Sequence, residues 1–184
     1  DWRRQGLSRK LTVLGLERFR DQHEGVFLFA DEEAIPYYLR CGFSALDESQ
    51  EFCQINGVPI KSGLVRLNPS DQQDLDKIYG YAESRVRISD KFSIFSPKLL
   101  MFHALYTLRN KVYEIPELDC LVFFDRNDEV VNIYDILGRT IPTFEEIYPY
   151  ISSETDKQIN FHFHTDKLGI RGVQTRVLLG NNTF

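Results

Sequence analysis

Arg3, Arg4, Gln5, Gly6, Leu7 and Ser8 stand together at the head of an amphipathic stretch, with Arg9 and Lys10 directly behind them. A helix beginning there presents backbone N–H groups that lack a carbonyl partner, together with the positive end of its dipole. Gln5, Gly6, Leu7 and Ser8 are placed to donate those hydrogens to a pyrophosphate, and Gly6, without a side chain, lets phosphate oxygens come close. Arg3, Arg4, Arg9 and Lys10 add charge of the right sign, in a chain where 27 Asp and Glu outnumber 22 Lys and Arg. The plainer alternative is a solvated basic helix end that happens to contain a glycine.

Other groups with chemical potential are weaker. His162 and His164 stand two residues apart with Asp166 nearby, a spacing that puts both imidazoles on one strand face. No HExxH pattern or cysteine cluster supports them, so surface or pocket lining is the preferred reading and no metal is expected. The three cysteines, Cys41, Cys53 and Cys120, form no CxxC pair and are odd in number, which argues against a disulfide framework and for a reducing compartment. Cys41 has no readable His and Asn or Asp arrangement around it and is not expected to be a nucleophile. His103 falls within an apolar helix and is expected to be packed there.

The elements that must position these groups follow from periodicity. Apolar residues at Leu7, Leu11, Leu14 and Phe19 predict a helix over 4–20, and the run 26–30 predicts a strand buried on both faces. Asp31 starts a short second helix, with Pro36 in its opening turns, and Gly42 ends it. Residues 43–45 and 51–55 read as a hairpin or bent strand pair, with Asn56-Gly57 as a turn before Val58. Beyond a boundary near 61–63 come a strand at 64–67, a helix over 72–86 and a well-buried helix over 98–110. A hairpin at 120–124 and 129–137, a helix capped by Thr143, and strands at 159–164 and 173–179 complete the chain.

Two of these segments carry a family resemblance. Arg3-x-x-Gly6-x-Ser8 resembles motif A of the GCN5-related N-acetyltransferases, in which Arg or Gln, two residues, Gly, one residue and then Gly or Ala wrap the coenzyme A pyrophosphate. Ser8 departs from the small apolar residue of that pattern. The run Ala34-Ile35-Pro36-Tyr37-Tyr38-Leu39-Arg40-Cys41-Gly42-Phe43 is similar to motif B, with Tyr38 four residues before Gly42. Asp31 stands where many relatives have Asn, and an ionised carboxylate cannot donate a hydrogen bond. The resemblance covers residues 1 to about 55 and implies acetyl-CoA as co-substrate, Arg3, Arg4, Gln5, Gly6, Leu7 and Ser8 as its binding residues, and Tyr38 as the general acid that protonates the departing thiolate.

It also implies an α/β fold, with a mixed sheet splayed at the acetyl-CoA site. The strand that normally precedes the phosphate loop falls before residue 1. Residues 1–62 are therefore expected to be the C-terminal half of an acetyl-CoA-binding domain, and 63–184 a second lobe of similar element order without the phosphate-loop motif. The implied function is transfer of an acetyl group to an amine of a small molecule or peptide. The alternative is a non-catalytic acyl-CoA-binding or interaction module on a degenerate version of the fold.

Composition narrows the partners. A chain of 184 residues with 42% hydrophobic and 13% aromatic content can bury a substantial core, and a formal charge of -5 speaks against a nucleic-acid or anionic-membrane surface. No apolar run reaches the length needed to span a bilayer. A cytoplasmic location is expected, and a homodimer stays open beside a monomer.

Overall fold

The computed structural model describes residues 5–58 and 60–178. The chain divides into two compact units, one of residues 1–49 with 177–184 and the other of residues 50–176.

In the smaller unit, helix α1 spans Leu7–Arg18 and continues into a single 3-10 turn at Arg20–Gln22. A 3-10 turn at Glu32–Ala34 leads into helix α2, Ile35–Arg40, whose Pro36 lies in the opening positions where the missing N–H costs nothing. Gly42, at φ 96, closes α2. Its N–H reaches Leu39 O at 3.2 Å while the Phe43 N–H reaches Tyr38 O at 3.2 Å, the paired bonds of a Schellman stop.

The apolar run 26–30 is not the expected buried strand. It forms only an isolated bridge at Phe29, and Val26, Phe27 and Phe29 are exposed. An apolar run becomes a strand only where a neighbour supplies a hydrogen-bonded ladder, and none runs alongside it among the described residues.

The larger unit is built on a seven-stranded mixed sheet in the order β2-β3-β4-β5-β6-β1-β7. The strands are β1 (Ser49–Gln54), β2 (Val65–Arg66), β3 (Val112–Ile115), β4 (Cys120–Asn127), β5 (Val130–Gly138), β6 (Gln158–Phe161) and β7 (Gln174–Val177). All the central pairings are antiparallel except β5 with β6, which run parallel from Val130↔Gln158 to Ile133↔Phe161.

β1 does not fold back on 43–45 as a local hairpin. It pairs antiparallel with β6, Glu51 facing Phe161, more than a hundred residues along the chain. Asn56-Gly57 is correspondingly no hairpin turn. A Cβ on Gly57 would sit 2.1 Å from Ser153 O, so the glycine is there for close backbone approach.

Both faces of the centre of the sheet are covered, while β2 and β7 at its edges are exposed. Along β4, Cys120, Val122 and Phe124 join one core cluster with Ile147 and Ile151 of helix α5 (Phe144–Ile151). The alternate residues Leu121 and Phe123 join a second cluster with Ile78 and Ala82 of helix α3 (Gln72–Ser84) and Ala104 of helix α4 (Pro97–Leu105). This period-two division makes β4 a continuous apolar run. The helices begin at strong caps. The Asp71 carboxylate accepts from Gln73 N and Asp74 N, Ser96 Oγ accepts from Leu99 N, and Thr143 with Glu146 forms a reciprocal capping box. α4 is less buried than its composition suggests. Ala104 is buried, whereas Leu99, Phe102 and Tyr106 are exposed.

Candidate functional site

In the smaller unit, Gly6 occupies the N-cap of α1 at φ 71, ψ 12, a left-handed conformation that glycine adopts without the penalty a Cβ brings. Among the described residues no side chain caps this end, no acidic residue lies in the first turn, and Lys10 N already reaches Gly6 O at 3.1 Å. No atom of the described residues lies within 4 Å of where a Gly6 Cβ would stand. The helix start is thus an open donor surface of positive potential, continued along α1 by a shallow cleft lined by Gly6, Arg9, Lys10 and Val13. Gln5 precedes the cap, and Leu7 and Ser8 are the first two helical residues. Arg3 and Arg4 lie outside the described residues.

Tyr38 sits in α2 with its ring edge-on to both Tyr37 and Phe43, at centroid distances of 5.2 and 5.7 Å. Its neighbour Tyr37 is the one that ties the two helices together, through a 2.6 Å hydrogen bond between its hydroxyl and Thr12 Oγ1 of α1. Among the described residues the Tyr38 hydroxyl has no hydrogen-bond partner, so this phenol is held by its ring and keeps its O–H available. Asp31 caps the 3-10 turn before α2 without a side-chain hydrogen bond. The uncapped basic N-terminus of α1 and the Tyr38 phenol of α2 therefore belong to one pair of linked helices.

The larger unit contributes a polar ladder that no local motif announces. Asp125 of β4 pairs with Lys111 Nζ at 2.8 Å and accepts from Asn132 Nδ2 at 2.9 Å and the Tyr134 hydroxyl at 3.1 Å. Asn132 Oδ1 in turn accepts from Asn160 Nδ2 at 2.9 Å, and Arg176 reaches both Asn160 Oδ1, at 3.0 Å, and Gln50 Oε1. Burial alone would raise the Asp125 carboxyl, but the hydrogen bonds from Lys111, Asn132 and Tyr134 together outweigh it and hold it below the ordinary carboxylate range. Its residues come from β1, β4, β5, β6 and β7 and the turn before β3, so only their alternation within each strand could have hinted at a shared face.

His162 and His164 have separate environments. His162 packs its ring on Tyr134 at 4.5 Å, and His164 Nδ1 lies 2.8 Å from Glu51 Oε1. Among the described residues no group of three or more His, Cys, Asp or Glu is gathered as a metal site would need. Burial pushes the Cys53 thiol up to about 11 and the Cys120 thiol up to about 12, which makes both poor nucleophiles. His103 lies within α4, with Nδ1 3.0 Å from Thr107 Oγ1.

No family model matches the sequence, and no curated protein matches it. Solved structures do. A probable N-acyltransferase from Enterococcus faecalis V583 superposes with a TM-score of 0.53 at 14% identity, over 98% of this chain and 50% of that one. Eis1 from Mycobacterium abscessus gives 0.49 at 15% identity, over 99% and 52%. A GCN5-related N-acetyltransferase from Kribbella flavida gives 0.47 at 11% identity, over 96% and 47%. The chain thus spans about half the length of these solved proteins, and the likeness at such low identity is one of architecture. With its mixed sheet, the five helices of the described residues and the superposition on the enterococcal protein, the chain has the α/β fold of that probable N-acyltransferase.

Proposed function

We propose that the protein is an N-acyltransferase that takes its acyl group from acetyl-CoA and delivers it to an amine of a small molecule or peptide. The observation that carries this reading is the open N-terminus of α1. Gly6 is in the left-handed region at the cap, the first turn is free of acidic residues, and Arg9 and Lys10 lie beside it. The residues fit the coenzyme's pyrophosphate, since backbone N–H groups over Gly6, Leu7 and Ser8 supply donors and Arg3, Arg4 and Gln5 precede them in sequence. When bound, acetyl-CoA supplies the activated acetyl group. Tyr38 holds a phenolic proton on α2 for the sulfur that departs, and the chain's larger contribution is positioning.

In this reading residues 1–62 are the later part of an acetyl-CoA-binding domain, and 63–184 a second lobe of the same kind without a phosphate loop. The acceptor is an amine small enough for a pocket, the protein acts in the cytoplasm, and a homodimer is compatible with it. The rival is a non-catalytic module that binds acyl-CoA through the same helix. The departures at Ser8 and Asp31 favour that rival; Tyr38, with its unengaged hydroxyl, favours catalysis.

Calorimetric titration of the chain with coenzyme A and acetyl-CoA tests the reading, with Gly6→Glu as the control whose carboxylate repels the pyrophosphate. Binding by the wild type that is lost in the folded variant supports the site. An amine screen then separates enzyme from binding module, since only the enzyme turns over. Absence of binding by a folded wild type counts against both.

A further inference from the structure

Helix α4 is apolar on two opposite sides. Leu100, Met101 and Ala104 pack into the second core cluster against the sheet. The other side carries Leu99, Phe102 and the C-cap residue Tyr106, at a spacing of three and four residues that forms one stripe. Phe95, one residue before the Ser96 cap, stands four residues before Leu99 and continues the row. Phe95, Leu99, Phe102 and Tyr106 are 53%, 41%, 52% and 70% exposed. A helix that is apolar all round is normally buried all round, so this outward stripe calls for a cover that no described residue supplies.

The stripe is ordered before anything meets it. The Phe102 and Tyr106 rings lie 4.9 Å apart, and the Arg85 guanidinium sits over the Phe95 ring at 5.9 Å. Little freedom is left to lose when the rings are covered.

We propose that this face is the twofold interface of a homodimer, in which α4 packs antiparallel against α4 of a second copy with Phe102 nearest the axis. Area supports a partner of that kind. An aromatic side chain buries ~150–250 Å², so the exposed parts of three rings, with Ile94, Leu99 and Leu105, come to roughly 500 Å² per copy. A symmetric pair then buries about 1,000 Å², the size at which a specific interface begins.

Charge favours a second copy over an acidic or basic partner. α4 has no Asp or Glu, and its one full charge is Lys98 in the first turn. There the ammonium faces the positive end of its own helix, and it has no ion pair among the described residues. Antiparallel packing brings Lys98 to the negative C-terminal end of the partner's helix, and the twofold axis repeats that contact. All these residues lie in the larger unit and none belongs to the coenzyme-binding reading. A dimer that binds no coenzyme A, or a monomer that does, would tell the two proposals apart.

Sedimentation velocity and light scattering across a dilution series test the interface. The wild type is expected to be dimeric at about 100 µM and to dissociate on dilution, as an interface at the small end of the range should. Phe102→Glu, which sets two carboxylates face to face at the axis, should weaken the dimer at least tenfold with an unchanged far-ultraviolet spectrum. In a Cys41→Ser background, Leu99→Cys combined with Tyr106→Cys should form a covalent dimer on mild oxidation, because antiparallel packing sets each opposite the other. If Phe102→Glu fails to fold, the wild-type mass and the cross-link still decide. A monomeric wild type at about 100 µM, a dimer indifferent to Phe102→Glu, or no cross-linked dimer would overturn the proposal.

Discussion

The Tyr37 hydroxyl is hydrogen-bonded to Thr12 Oγ1 at 2.6 Å, joining α2 to α1, while among the described residues the adjacent Tyr38 packs only through its ring, 5.7 Å from Phe43. Two neighbouring tyrosines thus have different jobs, one holding the helices in place and the other carrying an unengaged phenol. Removing each hydroxyl separates the roles. Tyr37→Phe is expected to cost about 1 kcal/mol in urea unfolding, the worth of one lost intramolecular hydrogen bond. Tyr38→Phe should leave stability nearly unchanged and, for an amine that is turned over, lower kcat by roughly 10²–10⁴-fold with coenzyme affinity retained. Equal kcat for Tyr38→Phe and wild type would remove the proton-donor role.

Gly57 gives a purely structural prediction. Its added Cβ would lie 2.1 Å from Ser153 O and 2.6 Å from Glu154 C, both backbone atoms that cannot swing aside. Gly57→Ala should therefore destabilise the larger unit by about 1–3 kcal/mol, as overpacking does elsewhere. The control is Gly80→Ala in α3, where nothing lies within 4 Å of the added methyl and the helix gains the better former. Chemical denaturation of the two variants should move in opposite directions.

Acid stability rests in part on Glu51. Its Oε2 accepts from Thr165 N at 2.8 Å and Thr165 Oγ1 at 2.6 Å, and its Oε1 lies 2.8 Å from His164 Nδ1. Burial by itself would raise this carboxyl, but the bonds from Thr165 and His164 outweigh it, and the folded value lies below the ordinary 4.5. The sign follows. Above 4.5 the group is ionised in both states and its stabilisation is fully present; as pH falls below 4.5 the unfolded chain takes up the proton first, and stability drops until the folded carboxyl is also protonated. Thermal midpoints measured from pH 6 downward should fall through this window and fall less steeply in Glu51→Gln. Parallel curves for the two proteins would assign acid sensitivity to other carboxylates, Asp125 first among them.

What could be read from the sequence was local. Asp71, Ser96, and Thr143 with Glu146 announce their helices because a cap acts within three or four residues, and Gly42 announces the end of α2 because few other residues tolerate φ 96. The hairpin of β4 and β5 was legible for the same reason. What failed was everything decided at long range. The run 26–30 has strand composition but no ladder partner among the described residues, Asn56-Gly57 has turn composition but a packing role, and β3, four residues of moderate alternation, carries little signal of its own. Of the candidate site, Gly6 and Tyr38 were visible as spacing. The partners Thr12 and Tyr37, and the ladder that joins Asp125 to Arg176 through Asn132 and Asn160, required the fold.

Thiol chemistry tests the burial pattern directly. Cys53 and Cys120 are buried in the sheet and their thiols are pushed up to about 11 and about 12 by desolvation, whereas Cys41 is partly exposed at the end of α2. Only a thiolate reacts quickly with a disulfide reagent, and only one within reach. At pH 8 the native protein should therefore release one equivalent rapidly, abolished by Cys41→Ser, and all three cysteines should react in denaturant. Three fast equivalents under native conditions would mean that β1 and β4 open readily. That outcome would contradict the paired positions of Cys53 opposite Ile159 and Cys120 opposite Gly138, on which the core of the larger unit depends.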